Sequence, residues 1–252
     1  MEPIEASFQR LKQFTADASH ELRGPLMAIA SNVELALKYP AESPPPGGPA
    51  DPSGDYQEVF LSIASATAQL TRLTEDLLLL ARSDGARGAA RRPSPELAAA
   101  PIALSPLLEA LMALYLPQAQ ASAIALQSDI APDLTLAGNG DHLSRAVANL
   151  VQNALQYTPA GGQVWVVAQA QAQQIQITVK DTGIGIAPEH WPQVFERFWR
   201  GDAARTHDRG GSGLGLAIAQ AIIQDHGGTI SLTSQLCRGS CFTVKLPIAE
   251  AR

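Results

Sequence analysis

Phe14-Thr15-Ala16-Asp17-Ala18-Ser19-His20-Glu21-Leu22-Arg23-Gly24-Pro25-Leu26 sets one histidine directly before a glutamate, inside a run with helical spacing. Apolar and small residues recur around it at Leu11, Thr15, Ala18, Leu22, Leu26, Ile29, Val33 and Ala36, in steps of 4, 3, 4, 4, 3, 4 and 3. This is the stripe of a helix that packs against other helices. The additional step of 4 lies beside Pro25 and predicts a shift of the stripe at a kink, because proline removes a helical donor. His20 falls two residues from both Ala18 and Leu22, about 200° around the helix at roughly 100° per residue. It is therefore predicted to point away from the stripe, towards solvent or a partner. An exposed histidine on a helix is by itself incidental; the remainder of the chain gives it meaning.

Outward from this stretch, residues 1–39 read as one long helix. Residues 40–54, PAESPPPGGPADPSG, read as neither helix nor strand. This connection is longer than the ~2–8 residues usual between packed helices. A second helix is predicted over 55–83, with Val59, Ile63, Ala66, Leu70, Leu73, Leu77 and Leu80 inward, a heptad pattern. A lone helical hairpin leaves one apolar side wet, so two copies are expected to pair as a dimeric four-helix bundle. Residues 84–100, DGARGAARRPSPELAAA, read as a linker.

Beyond residue 100 the pattern changes to an α+β domain, a mixed sheet covered on one face by helices. Strands are predicted near 102–104, 124–129, 134–137, 162–170, 174–181, 228–235 and 240–247. Helices are predicted near 105–121, 141–157 and 213–226, the middle one with Leu143, Val147, Leu150 and Ala154 inward. A polar, glycine-rich loop region runs from 181 to about 212. The chain has 252 residues, 46% of them apolar, and a formal net charge of −6. The negative charge argues against a general nucleic-acid-binding role. No apolar run is long enough to span a membrane, and the start does not read as a signal peptide. The two cysteines, Cys237 and Cys241, could meet across a turn at Gly239 and form a bond, but the cytosolic composition favours free thiols.

Three constellations carry chemistry. Asn149 and Asn153 lie one helical turn apart, with Tyr157 a turn further, as a polar stripe on an otherwise apolar helix. Amide oxygens suit a hard cation such as magnesium, which takes phosphate oxygens as further ligands; a pair of solvated amides is the plain alternative. Asp181-Thr182-Gly183-Ile184-Gly185-Ile186 leaves a strand with a carboxylate that can accept from an exocyclic amine, followed by two glycines that permit tight turns against a flat ring. An ordinary strand-exit turn reads the same way. Arg209-Gly210-Gly211-Ser212-Gly213-Leu214-Gly215-Leu216 opens a helix with glycine-rich amides, an anion-binding arrangement. It is not a P-loop, since no Lys-Ser/Thr follows, and not a dinucleotide fingerprint, since Leu216 takes the third glycine position. Between these motifs, Phe195-Glu196-Arg197-Phe198-Trp199-Arg200 fits either a lid over a nucleotide or simple core packing.

Taken together the chain resembles the catalytic core of a bacterial two-component sensor histidine kinase. Phe14–Leu26 resembles the phosphoacceptor motif, Asn149–Pro159 the asparagine motif and Asp181–Pro188 the first glycine motif. Phe195–Arg200 resembles the phenylalanine motif and Gly211–Leu216 the second glycine motif. The resemblance implies a dimerisation and phosphotransfer hairpin over 1–83, a linker over 84–100 and an ATP-binding domain over 101–252, of the type shared with gyrase and the large heat-shock ATPase chaperones. Those relatives lack the histidine motif, so a general gyrase-like ATPase has little support.

The resemblance also implies roles. His20 would be the phosphoacceptor, with Glu21 accepting from its other ring nitrogen so that the attacking nitrogen stays unprotonated. Asn153 would bind magnesium, with Asn149 and Gln156 near the phosphates. Tyr157 would pack on the adenine and Asp181 would read its amino group. Gly183, Gly185 and Ile186 would line the base pocket. Arg200, Gly211, Ser212, Gly213, Leu214 and Gly215 would hold the phosphates beneath the lid. The implied cofactors are ATP and Mg2+, and the implied partners are a second copy and the receiver domain of a response regulator, whose aspartate would take the phosphate from His20. The chain starts 19 residues before His20, so the sensory part is expected elsewhere, with membrane attachment of a parent protein left open.

Two positions depart from the family pattern. Gly24 stands where a Thr or Asn usually places the water that dephosphorylates the regulator, so weak phosphatase activity is expected. Gln156 stands where a Lys is usual, which removes a phosphate-facing cation and is expected to lower nucleotide affinity or turnover. It is also the feature that favours a second reading, a weakly catalytic docking module that uses nucleotide as a conformational signal. His20, Glu21, Asn153 and Asp181 weigh against that reading.

Overall fold

The computed structural model describes residues 18–19, 21–34, 36, 52–86, 101–201 and 212–248, with side chains from 59 to 81 in the second helix. The chain divides into two compact units, Met1–Ala81 and Arg82–Arg252. His20, the remainder of the expected first helix and residues 40–51 lie outside the described residues.

The first unit contains α1, described over residues 18–19, 21–34 and 36, and the start of α2, Pro52–Ala86. All seven heptad positions of α2 are buried or half-buried, with Ala66, Leu73 and Leu80 fully so. The α1 stripe is covered in part within the single chain. Ala18, Leu22, Pro25, Ile29, Asn32 and Ala36 are shielded, whereas Leu26 is 54% exposed and Val33 is also exposed. The residues covered by the chain itself follow a 4-3 repeat through Pro25, which leaves Leu26 and Val33 outside the seam with α2. Asn32 is tolerated because its Nδ2 donates to Ser62 Oγ of α2 (3.1 Å) and to the Ala28 carbonyl (2.8 Å).

The ends of α2 also move. Pro52, Ser53 and Gly54, read as connection, are the first helical residues. Proline fits a first turn because its missing N–H has no intrahelical partner there. At the other end the helix runs through Gly85 to Ala86, into the expected linker. A glycine costs a helix only ~1 kcal/mol relative to alanine.

The second unit is a two-layer α/β sandwich. Its elements are β1 (Pro101–Ala103), α3 (Leu104–Ala121), β2 (Ala125–Ile130), β3 (Thr135–Ala137), α4 (Gly140–Tyr157), β4 (Gln163–Gln171), β5 (Gln174–Asp181), α5 (Gly215–Asp225), β6 (Thr229–Gln235) and β7 (Gly239–Pro247). The main sheet has the order β2-β4-β5-β7-β6, and β1 pairs with β3 beside it. Only β2 and β4 of the main sheet run parallel. Parallel neighbours need a crossover, and α4 lies in that connection.

Alternation fixes the layers. Val164, Val166 and Ala168 of β4, Ile175, Ile177 and Val179 of β5, and Phe242, Val244 and Leu246 of β7 are buried under the helices. Each large apolar side chain so buried contributes about 1.5–3 kcal/mol. The opposite face carries Thr178, Thr243 and Ser231 in register. There Trp165 donates from Nε1 to Gln127 (2.9 Å), and Lys180 sits 5.6 Å from its ring. α4 is buried along one broad face, at Leu143, Ala146, Val147, Leu150, Val151, Ala154 and Leu155, because it meets the sheet and both α3 and α5.

Candidate nucleotide site

β5 ends on Asp181, and its period of two puts this carboxylate on the helix side with Ile175, Ile177 and Val179. Asp181 is 4% exposed. Its Oδ1 accepts from the Gly183 N–H (2.7 Å) and the Ser240 N–H (3.1 Å). Burial pushes the carboxyl up from its ordinary range, partly opposed by these two bonds. Both bonds end on Oδ1, so among the described residues Oδ2 keeps its acceptor capacity for a ligand amine.

The loop after Asp181 is held from several directions. Its Ile184 N–H donates to the Tyr157 carbonyl at the end of α4 (3.1 Å). A side chain on Gly183 would run into that same carbonyl and into Asp181 Oδ1. Gly185 has φ +69°, and a Cβ there would collide with the Gln235 carbonyl of β6. These two glycines are therefore required by close approach and by backbone conformation. Trp191, just after a short 3-10 turn at Pro188–His190, donates from Nε1 to the Ile186 carbonyl (3.1 Å).

On α4, Asn149, Asn153 and Tyr157 are half-buried, and Gln156 is exposed. Burial pushes the Tyr157 phenol up, and the nearby Arg200 guanidinium opposes it. Among the described residues, Asn149 Nδ2 is buried without a hydrogen-bond partner. A buried amide nitrogen left so is costly unless a ligand supplies an acceptor. Gly215, the first residue of α5, lies against this side chain: a Cβ on it would stand 3.5 Å from Asn149 Oδ1. α5 has no side-chain N-cap, so its first amides are open to an anion. The asparagine and second glycine motifs thus meet.

The phenylalanine motif both packs in the core and touches the glycine-rich loop. Phe195 packs edge-to-face on the fully buried Phe242, with centroids 6.2 Å apart. Phe198 has φ +58°, and its backbone lies under Gly213, where a Cβ would come within 2.8 Å. Leu214 is fully buried, and Ser212 Oγ accepts from its N–H (3.4 Å). Gly211 and Arg209 lie outside the described residues, as does His20; Glu21 beside it is helical and half-buried. Cys237 and Cys241 are free thiols.

Sequence reading missed the residues that buttress this site from afar. Ser234, Gly239 and Ser240 of β6 and β7 touch the Asp181 loop. A signal existed for one of them: Ser234 is the polar residue in the inward series Ile230, Leu232, Ser234.

His226 was missed too. It is 7% exposed, with Nδ1 against the Ile222 carbonyl (2.8 Å) and Nε2 accepting from the Asn139 N–H (3.1 Å). A ring that donates at Nδ1 and accepts at Nε2 is neutral. Asn139 in turn caps α4 by accepting from the His142 N–H (3.0 Å). Burial lowers the His226 pKa, with His142 adding to the effect and the Ile222 carbonyl and Asp225 opposing it. Between the lowered folded value and the unfolded value near ~6.5, the unfolded chain binds more protons than the folded one. Stability is therefore present above that range and is lost as pH falls through it. Thermal unfolding followed between about pH 7 and 5 should show a steeper decline for the wild type than for His226→Gln. Parallel profiles would remove His226 as the source.

Among the described residues no helix is long and apolar enough to cross a membrane. Residues 138–250 match the family model of histidine kinase-, DNA gyrase B- and HSP90-like ATPases, and residues 10–86 match that of the His Kinase A (phospho-acceptor) domain. The chain is 39% identical over 249 residues to the sensor histidine kinase RppB of Synechocystis sp., covering 98% of this chain and 51% of RppB. It is 32% identical over 242 residues to the sensor protein SrrB of Staphylococcus aureus, covering 96% of this chain and 39% of SrrB. The chain therefore spans about half or less of the length of these curated relatives. The crystal structure of full-length ShkA in complex with AMPPNP aligns with a TM-score of 0.63 and 29% identity, over 79% of this chain and 40% of that one. With a phosphoacceptor domain followed by an ATPase domain of this fold, the chain belongs to the sensor histidine kinases.

Proposed function

We propose that this chain is the core of an ATP-dependent protein-histidine kinase that phosphorylates His20 and passes the phosphoryl group to an aspartate of a response regulator. The observation that carries the nucleotide assignment is the buried, unpartnered Asn149 amide beside the uncapped start of α5. One side of α4 thus offers a base-reading carboxylate near its end and phosphate-binding amides near its middle. The AMPPNP bound to ShkA accords with this reading.

In this reading Asp181 accepts from the adenine amino group, Tyr157 packs on the base, and Gly183, Gly185 and Ile186 shape its pocket. Ser212, Gly213, Leu214 and Gly215, with Gly211, hold the phosphates, with Arg200 as a cation near Tyr157. Among the described residues no group of three or more His, Cys, Asp or Glu could hold a metal. A magnesium ion would arrive with the phosphates, gripped by the Asn153 amide oxygen, and would neutralise phosphate charge. Glu21 would orient the His20 ring. Positioning does most of the work in such transfers.

A second copy is the proposed partner of the hairpin. Leu26, Ala30 and Val33 of α1 and Phe60, Leu61 and Leu78 of α2 are exposed in the single chain, and a dimeric bundle would cover such residues. A cytoplasmic site of action follows from the use of ATP.

The test is incubation of the purified chain with γ-labelled ATP and magnesium, beside His20→Ala and Asn153→Ala. Label that is lost in acid, stable in base and absent from both variants is expected. Nucleotide binding without label would favour the docking-module reading, for which the exposed, neutral Gln156 is the supporting feature.

A further inference from the structure

We propose that Ser234, a residue with no expected contact to the nucleotide, is the positioning residue that sets base selectivity by aiming Asp181. The inference rests on the reading of Asp181 as the group that meets the adenine amine.

Ser234 Oγ donates to the Gly239 carbonyl (2.9 Å) and accepts from the Ile186 N–H (2.8 Å). It also lies 3.0 Å from Ser240 Oγ. A hydroxyl has one hydrogen and two lone pairs. The hydrogen is committed to Gly239, so Ser240 must be the donor of the third bond. All three capacities of Ser234 Oγ are then filled.

The Gly239 carbonyl belongs to the same peptide unit as the Ser240 N–H, and that unit is planar. Fixing the carbonyl at one side fixes the N–H at the other. That N–H is one of the two donors to Asp181 Oδ1. The same Ser234 oxygen holds Ile186, the far end of the glycine loop that begins at Asp181. One hydroxyl therefore ties down both the peptide that orients the carboxylate and the loop that walls the pocket. The Cys237 N–H adds a parallel tie, donating to the Ile184 carbonyl (2.8 Å).

Ser234→Ala leaves the Ile186 N–H and the Gly239 carbonyl without this partner and frees the peptide to turn. Ser234→Thr keeps an oxygen able to make all three bonds. Ser240→Ala removes one bond of the three. Equilibrium dissociation constants would be measured for ATP and for purine riboside triphosphate, which lacks the 6-amino group, alongside thermal unfolding. For Ser234→Ala, ATP affinity should fall about tenfold, the order expected for misaligning one hydrogen bond to a charged group. Affinity for the amine-free nucleotide should be nearly unchanged, so the preference for ATP collapses. Ser234→Thr should restore the preference. Ser240→Ala should lower it less, and serves as the second variant if Ser234→Ala does not fold. Equal losses for both nucleotides in Ser234→Ala, or a preference undiminished in both alanine variants, would overturn the proposal. A wild type that binds ATP but shows no preference for it would overturn it through Asp181. A wild type that binds neither nucleotide would overturn the nucleotide reading as well.

Discussion

Replacing Asp181 by asparagine should weaken ATP binding about 10- to 100-fold, the worth of one hydrogen bond to a charged group, while leaving the fold at least as stable. The two effects separate because the carboxylate is placed for a ligand at some cost to the fold. Asp181 is 4% exposed, and burial raises its pKa. A carboxyl whose folded pKa lies above its unfolded value binds more protons in the folded state, so its contribution to stability falls as pH rises through that window. Near neutral pH the ionised group is a net burden that a neutral amide removes. In the Asp181→Asn variant the amide oxygen would keep the bonds from the Gly183 and Ser240 N–H groups. The amide nitrogen would then stand in place of Oδ2, a donor set against the donor of an adenine amino group. Calorimetric titration with a non-hydrolysable ATP analogue and a melting curve near pH 7 check both halves. An Asp181→Asn protein with undiminished affinity would dismiss this carboxylate as the base reader. A lowered melting temperature would show that the charge stabilises the fold.

Gly239→Ala should be the most damaging single methyl in the ATP-binding unit, costing about 3–4 kcal/mol, near the upper end for point substitutions. Gly239 has φ +95°, and a Cβ there would run into the Asp181 carbonyl and stand 2.9 Å from Thr182 Cα. Every obstructing atom is backbone, so no side-chain rotation relieves the clash. Relief requires β7 to move away from the end of β5, which carries the Ser240 N–H away from Asp181. Gly161 provides the control. It also has positive φ, +84°, but a Cβ there meets nothing within 4 Å. Gly161→Ala should cost only conformational strain, roughly 1–2 kcal/mol. At about 2–4 °C per kcal/mol for a domain of this size, melting temperatures should fall by roughly 10 °C for Gly239→Ala and by under half of that for Gly161→Ala. ATP affinity should drop only in the former. Similar losses in the two variants would mean that backbone conformation, and not the contact with β5, makes Gly239 necessary.

Much of this protein is legible in its residues alone. The heptad from Val59 to Leu80 identifies the seam of α2, and the alternation Ile175, Ile177, Val179, Asp181 places a carboxylate inward at a strand end. The asparagine stripe on α4 and the glycine-rich start of α5 are both visible there. Such features are local: the helical and strand periods are set by backbone geometry over a few residues, and the sequence records them directly.

Where local pattern was silent, neighbours from elsewhere in the chain decided. Leu26 is more apolar than Asn32, yet Asn32 lies in the seam because Ser62 of another helix satisfies its amide. Pro25 is shielded and Leu26 is not, a choice of rotation that depends on the opposing helix. The meeting of Asn149 with Gly215, and of Asp181 and Ile186 with Ser240 and Ser234, joins residues about fifty or more positions apart. These contacts arise from the pairing of β5 with β7 and from the packing of α4 on α5. No short-range period encodes them. The sequence by itself determined which elements form and, for α2 and the strands of the sheet, which faces they bury, and it marked the residues proposed to carry chemistry. Only the tertiary structure decided which of those residues are brought together and which neighbours hold them, because that depends on hydrogen-bond partners supplied across the sheet.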